Sequence, residues 1–264
     1  MANLNDLSAQ KIKQNLLERY KNFDIKIFDT LPSTNDFAKE LVNSNNFNNG
    51  TTITANEQTK GRGRFARNFY SPANTGIYFS TILKKAIPIK DVSLITLISA
   101  VAVCKAIKKL TSLNPQIKWI NDIYLNNKKI CGILVENVND STNLKSKGII
   151  VGIGINISTE NFPKDIQDKA GSIMCNELSR NKLIAESLNN LFDFSEDIYN
   201  KKIIEEYKSL SLVLNKKISY IKGNKTYTAT AIDINNAGNL IVKNNNNIKV
   251  LNCEEISINF VSQN

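Results

Sequence analysis

Asn56-Glu57-Gln58-Thr59-Lys60-Gly61-Arg62-Gly63-Arg64-Phe65-Ala66-Arg67-Asn68-Phe69-Tyr70-Ser71-Pro72, followed at 76–83 by Gly-Ile-Tyr-Phe-Ser-Thr-Ile-Leu, is the stretch around which the chain is organised. Residues 51–55 lead into it as a strand and residues 76–83 leave it as another, so loop and strands form one unit. Only five of the 34 basic side chains are Arg (Arg19, Arg62, Arg64, Arg67, Arg180), and three of those fall within six residues of the loop. In a chain that otherwise makes positive charge from Lys, this clustering points to a need for planar, bidentate guanidinium groups. Gly61 and Gly63 interleave with Arg62 and Arg64, which lets the backbone turn tightly and offer its N–H groups to an anion. Two readings stand: a phosphate clamp on a mobile loop, or a solvated basic loop.

On the N-terminal side, Ile12, Leu16, Leu17 and Tyr20 recur at helical spacing, and Ser8 is placed to cap a helix over 8–20. Ile25 and Ile27 alternate with polar neighbours in a strand at 24–29, which Pro32 ends. Ser33-Thr34-Asn35-Asp36 then opens a helix carrying Phe37, Ala38, Leu41 and Val42. Ser33 and Thr34 suit capping, and a helix N-terminus is equally a place where N–H groups and hydroxyls converge on a polar ligand.

On the C-terminal side, residues 91–110 read as a long apolar helix backing a sheet, basic at its end. Residues 118–136 form two apolar runs around Asn126-Asn127, a hairpin turn because Asn tolerates positive φ. The first strand carries Lys118, Asn121 and Asp122; the return strand carries Lys129 and Gly132. Asp122 is placed to hold a metal ion or a cation and Lys129 to neutralise a phosphate; alternatively the two simply pair on a surface hairpin. Residues 148–158 form a buried-type strand in which Gly152 and Gly154 mark a close approach. The spacing is not a Rossmann fingerprint, and the chain has no Gly-x-x-x-x-Gly-Lys-Ser/Thr, so any bound ATP is held by another architecture. Residues 162–171 read as a short helix or loop and 179–210 as largely helical. Short β-type runs at 218–221, 226–232, 240–242, 248–251 and 256–260, separated by Gly223-Asn224, Asn236-Ala237-Gly238 and the Asn run 244–247, suggest a small barrel beginning near 213–216.

Composition narrows the chemistry. With 264 residues and 42% apolar side chains the chain fills one large domain, or a main domain with an appendage. A net charge of +10 and a pI near 9.3 raise nucleic acid as a partner, but the lysines are spread along the chain and give only a diffuse footprint. There is no histidine, which excludes Ser-His-Asp and Cys-His nucleophile systems, His-based zinc sites and an imidazole base. Cys104, Cys131, Cys175 and Cys253 are far apart with no Cys-x-x-Cys, so buried thiols are expected rather than zinc ligands or disulfides. No signal peptide heads the chain, and the apolar run 92–107 is too short and too interrupted to span a membrane, so the expected compartment is the cytoplasm.

From about residue 24 to the end, the chain resembles the bacterial biotin protein ligases (biotin–[acetyl-CoA-carboxylase] ligases) of the short type without an N-terminal DNA-binding domain. The resemblance rests on five motifs in order: Ser33-Thr34-Asn35; Glu57 to Arg64 with Ser71-Pro72; Lys118-Trp119-Ile120-Asn121-Asp122; Lys129 to Glu136; and Gly152-Ile153-Gly154-Ile155-Asn156. It implies an α+β fold: a mixed β-sheet backed by helices, as in a class II synthetase-like catalytic domain, with a small C-terminal SH3-like β-barrel. The implied division is a connector at 1–23, the catalytic domain at 24–213 and the barrel at 214–264. The implied activity is ATP- and Mg²⁺-dependent activation of biotin to biotinyl-5′-AMP, followed by transfer to a lysine of the biotin carboxyl carrier protein of acetyl-CoA carboxylase.

Carried over residue by residue, the resemblance assigns biotin contacts to Ser33, Thr34, Asn35, Gln58, Gly61, Arg62, Gly63, Arg64, Lys129 and Gly132. It assigns ATP contacts to Arg64, Arg67, Lys118, Asn121, Lys129 and Asn156, and catalytic roles to Arg64, Lys129 and Asp122. Metal ligands are not assigned. Short polar groups suit a ureido ring, which both donates and accepts. Phe65-Ala66 stands where relatives often have Arg-Gly, Phe69 where Trp is usual, and Ile120 where Pro is usual; altered loop dynamics or affinity is expected, with activity kept. Ala170-Gly171-Ser172-Ile173 loosely resembles the start of the region that covers adenine. About 23 residues before the first ligase strand are too few for three helices and a wing, so no repressor function and no DNA operator are expected; a ligand-linked homodimer remains open. The rivals are a lipoate-protein ligase, which shares the fold and the adenylate chemistry, and a nucleic-acid-binding module.

Overall fold

The computed structural model describes residues 7–140, 146–175, 177–222, 225–245, 247–252 and 258–260. Cys253, the turn Gly223-Asn224, Asn246, residues 1–6 of the expected connector, and 256–257 of the last expected strand lie outside the described residues.

The chain begins with α1 (Ala9–Asn15), capped as expected by Ser8, whose Oγ accepts from Lys11 N–H. The helix expected over 8–20 is in fact broken: Leu16 has ψ 148°, and a separate 3-10 turn follows at Glu18–Tyr20. The break lets Asn189 Oδ1 accept from Leu17 N–H at 2.9 Å, while Asn181 Oδ1 accepts from Ser8 N–H at 2.9 Å. Both acceptors belong to α4 (Arg180–Ser195), so a tertiary contact overrides the local helical spacing.

The main sheet has seven strands. In chain order they are β1 (Ile25–Leu31), β2 (Thr52–Gln58), β3 (Gly76–Leu83), β4 (Gln116–Lys118), β5 (Asp122–Leu125), β6 (Lys128–Asn139) and β7 (Ser146–Asn156); in space the order is β1-β2-β3-β7-β6-β5-β4. Only β1 and β2 run parallel, because α2 (Thr34–Asn43) makes the crossover between them; the other pairs are antiparallel. One face packs on α3 (Val92–Leu110), an almost entirely apolar helix that also meets α4 and α5 (Lys201–Ser209). Leu97 and Ile98 are essentially removed from water, which contributes roughly 2 kcal/mol each.

The opposite face carries the register on which the site depends. Across β3, β7 and β6, Tyr78, Gly154 and Gly132 form one row, and Ser80, Gly152 and Leu134 the next. The glycines leave a floor without side chains, and two side chains drop onto it. A Cβ on Gly152 would lie 2.0 Å from Asn35 Oδ1, and one on Gly154 would lie 2.4 Å from the Phe69 ring.

The expected hairpin at 118–136 needs one correction. Asn126 and Asn127 turn it with φ of 49° and 62°, as read. Its first arm, however, is two strands: β4 and β5 pair antiparallel with each other, with Lys118 opposite Asp122 and Trp119-Ile120-Asn121 folded between them. Likewise the helical stretch at 179–210 divides into α4 and α5.

The C-terminal strands β8 (Lys217–Lys222), β9 (Lys225–Ile234), β10 (Leu240–Asn244), β11 (Asn247–Leu251) and β12 (Ile258–Phe260) form an all-antiparallel sheet ordered β11-β10-β9-β8-β12. Among the described residues no ladder joins β11 to β12. Trp119 Nε1–H donates to Gly238 O at 2.9 Å in the β9–β10 turn, and Tyr207 O–H of α5 donates to Ile120 O at 3.0 Å, so the turn after β4 is anchored from both sides.

Candidate active site

A cavity of about 510 Å³ opens over the glycine floor, between the N-terminus of α2, the Gly-Arg loop, the β4–β5 turn and the segment 162–170. It is lined by every site residue expected from the sequence except Gly61. Gly61 serves the loop's own fold: its carbonyl accepts from Phe69 N–H at 2.8 Å, and a Cβ there would lie 2.4 Å from Phe69 O.

One end of the cavity is neutral and fully cross-bonded. Ser33 caps α2, its Oγ accepting from Asp36 N–H. Gln58 Oε1 accepts from both Thr34 N–H, at 2.9 Å, and Thr34 O–H, at 3.1 Å, while Gln58 Nε2 donates to Ser71 Oγ at 3.0 Å. Ser80 Oγ lies 2.6 Å from Asn35 Oδ1 and 2.7 Å from Thr34 Oγ1. Asn35 Nδ2 donates to Leu134 O and to Glu136 Oε2. Ser80 and Glu136 were not singled out from the sequence, although Ser80 is a polar residue inside the apolar run 76–83 and Glu136 closes a quoted motif.

The other end is cationic. Lys129 Nζ lies 2.7 Å from Asp122 Oδ1, a close ion pair. Arg64 NH1 donates to Asn121 Oδ1 at 3.2 Å, and its guanidinium lies 4.8 Å from the centre of the Phe65 ring. Lys118 Nζ sits 5.7 Å from the Tyr124 ring centre. Burial depresses the Lys118 pKa, nearby Lys129, Arg67 and Lys169 add to the effect, and Asp122 opposes it. Burial beside Asp122 pushes the Tyr124 hydroxyl up to about 12. Asn156 Nδ2 donates to Gly171 O, leaving its buried Oδ1 without a partner.

The segment 162–170 closes the cationic end, with Phe162, Asp165, Ile166, Lys169 and Ala170 on the cavity. It is tied to the start of β6: Lys129 N–H donates to Lys169 O at 2.8 Å, and Gly171 N–H to Lys129 O at 2.9 Å. A Cβ on Gly171 would lie 2.5 Å from Lys128 Cβ, so this approach needs glycine. In all, six cations and two carboxylates line the cavity among the described residues. That excess suits a ligand carrying several negative charges.

Arg62 turns toward Glu136 and Asp36, its NH2 lying 2.5 Å from Glu136 Oε2 and 2.9 Å from Asp36 Oδ1. The loop between Arg62 and Asn68 is closed by Gly63 N–H donating to Arg67 O at 2.7 Å. Phe65 and Ala66 both take the left-handed conformation, with φ of 56° and 55°, at the two positions where related loops often carry Arg-Gly. Among the described residues no three His, Cys, Asp or Glu gather as a metal-binding group.

The fold and this two-ended cavity define an α+β ligase class. Biotin protein ligase from Aquifex aeolicus, in complex with biotin and ATP, superposes with a TM-score of 0.75 at 26% identity, over 90% of this chain and 99% of that one. The sequence profile of the Biotin/lipoate A/B protein ligase family matches residues 27–156. The Bifunctional ligase/repressor BirA of Bacillus subtilis (strain 168) is 31% identical over 262 residues, covering 96% of this chain and 79% of that protein. A Biotin–[acetyl-CoA-carboxylase] ligase of Mycobacterium tuberculosis is 23% identical over 201 residues, 72% of each chain. The chain belongs to the biotin/lipoate protein ligase family.

Proposed function

We propose that this chain is a biotin protein ligase, which activates biotin with ATP and transfers it to a lysine of a carrier protein. The observation that carries this reading is the single cavity in which a neutral, hydrogen-bonded end adjoins a cationic one. Ser33, Thr34, Asn35 and Gln58 present donors and acceptors suited to the ureido ring, and the glycine floor lets Asn35 and Phe69 lie flat enough to leave the cavity open above them.

A biotin carboxylate oxygen then forms a bond to the α-phosphorus of ATP, the bond from that phosphorus to the bridging oxygen breaks, and pyrophosphate leaves. Arg64 and Lys129 lower the cost of bringing the two anions together, and Lys118, Arg67 and Asn156 hold the nucleotide. Mg²⁺ arriving with the nucleotide would neutralise phosphate charge; among the described residues no three carboxylates gather, and Asp122, now paired with Lys129, is the lining carboxylate that would meet it. In the second step the acceptor amine bonds to the carbonyl carbon of biotinyl-5′-AMP, the bond from that carbon to the phosphate oxygen breaks, AMP leaves and the amine loses a proton. The closed Gly-Arg loop excludes water that would hydrolyse the anhydride.

The finer reading assigns the biotin carboxyl carrier protein of acetyl-CoA carboxylase as acceptor, residues 24–213 as catalytic domain and 214–264 as a small accessory domain. Among the described residues ahead of β1 lie one short helix and a 3-10 turn, and the proposal includes no DNA operator. No helix among the described residues is long and apolar enough to cross a membrane, and we place the reaction in the cytoplasm. A homodimer that forms with ligand remains part of this proposal.

The test is exchange of labelled pyrophosphate into ATP with biotin, lipoate or neither, with Mg²⁺ omitted as control. Exchange with biotin alone is expected. Preference for lipoate would move the protein to the other branch of the family, and no exchange with either, from folded protein, would overturn the reading.

A further inference from the structure

We propose that Glu136 is a positioning residue that ties the Gly-Arg loop to the neutral end of the cavity. The proposal rests on the biotin ligase reading. Glu136 lies on β6 in the cross-strand row of Ile82 and Ile150, both completely buried. Glu136 itself keeps 22% of its side chain exposed, at the edge of that row, and its carboxylate is held by specific partners. Its Oε2 takes two: Asn35 Nδ2 at 2.8 Å and Arg62 NH2 at 2.5 Å. One oxygen thus joins the segment that faces the ureido ring to the loop that covers it.

The two ends of this bridge differ in freedom. Asn35 is pinned between Ser80 Oγ and the glycine floor at Gly152, where no side chain beyond hydrogen fits. The loop carries left-handed backbone at Phe65 and Ala66, a conformation that side-chain-bearing residues adopt reluctantly, and its side chains reach the rest of the site through Arg62 on Glu136 and Asp36, Arg64 on Asn121, and the Phe69 ring over Gly154 and Gly132. Asn35, pinned in this way, holds Glu136 where Arg62 reaches it. When Asn35 shifts, the same oxygen shifts and the loop loses that tie. Asp36 meets Arg62 without touching Asn35, so it anchors the loop without reporting on the pocket.

The contrast between the two carboxylates makes the test. Glu136→Gln keeps shape and removes charge; it is expected to raise KM for biotin and to speed release of preformed biotinyl-5′-AMP by about tenfold to a hundredfold. Maximal exchange at saturating biotin should fall less than about threefold, because Glu136 touches no reacting atom. Asp36→Asn is expected to speed adenylate release and leave KM for biotin unchanged. Adding Arg62→Gln to Glu136→Gln should speed release no further than adding Asp36→Asn does, since Arg62 shares one contact with Glu136 and keeps its second on Asp36. Unchanged release and KM in Glu136→Gln, or full additivity with Arg62→Gln, would overturn the proposal. Should the wild type form no biotinyl-5′-AMP, the functional reading fails separately. Amide hydrogen exchange over residues 61–69 of ligand-free protein then decides the tie: faster exchange in Glu136→Gln supports it, and equal exchange refutes it.

Discussion

The two ends of the cavity are built on opposite electrostatic terms. At the neutral end, Thr34, Asn35, Gln58, Ser71 and Ser80 satisfy one another, and the geometry stands without a ligand. At the cationic end, Lys118, Lys129, Lys169, Arg64 and Arg67 line the cavity with only Asp122 and Asp165 of opposite charge among the described residues, a burial-depressed lysine sits among them, and the buried Asn156 Oδ1 lacks a hydrogen-bond partner. The difference teaches which half is pre-formed and which is completed by substrate. The first exchanges hydrogen bonds with a neutral ring at small cost. The second stores repulsion that a polyphosphate relieves, so binding energy is concentrated where charge develops in the reaction.

The largest expected effect breaks the cationic end. Lys129→Ala or Arg64→Ala should leave a folded protein whose biotin-dependent pyrophosphate exchange falls by about 10²- to 10³-fold, or which releases its adenylate early. Wild-type exchange and adenylate retention in both variants would remove these residues from the mechanism.

A smaller effect breaks the neutral end. Gly152→Ala puts a methyl 2.0 Å from Asn35 Oδ1, which must displace that side chain from Ser80 and Glu136. Biotin KM should rise by up to about a hundredfold while ATP KM changes little. A matched rise in both would mean that the two ends are not separate.

The smallest effect sharpens the contrast. Burial disfavours the charged form of Lys118, so Lys118→Met should keep or raise the unfolding midpoint at pH 7 while ATP KM rises about tenfold. The sign with pH follows from the depressed pKa. Between the folded-state value and the 10.5 of an unfolded lysine, the unfolded chain holds more protons, so wild-type stability climbs with pH relative to the variant through that window and is fully relieved above it. A wild type that loses stability against Lys118→Met as pH rises would contradict this electrostatic account.

Much of the site was legible because its residues sit at motif spacing on local elements: Ser33 to Asn35 on one helix start, Arg62 to Arg67 on one loop, Asp122 to Gly132 on one hairpin with Lys118 and Asn121 just ahead of it. The turn at Asn126-Asn127 and the ends of β3 were readable for the same reason, since a turn conformation and an alternation are short-range signals. What escaped was set by neighbours distant in sequence. Ser80 and Glu136 matter through strands and a helix that register beside them, and α1 ends where Asn189 captures the Leu17 amide. The fold-back between β4 and β5 escaped because its apolar residues also suit one continuous strand; anchoring at Gly238 and Tyr207 chooses the turn.

By itself the sequence determined the chemistry on offer: no imidazole, a cluster of three arginines among glycines, and five ordered motifs that place the chain in its family. Composition and spacing decide which functional groups exist and which local elements carry them. Only the tertiary structure decided which groups share an oxygen, that Arg62 turns to Glu136 and Asp36, that Gly152 and Gly154 make a floor for Asn35 and Phe69, and that the segment at 162–170 completes the cationic end. Hydrogen bonds and charge repulsion depend on separations of a few ångströms between residues far apart in the chain, and those separations are set by strand register and packing.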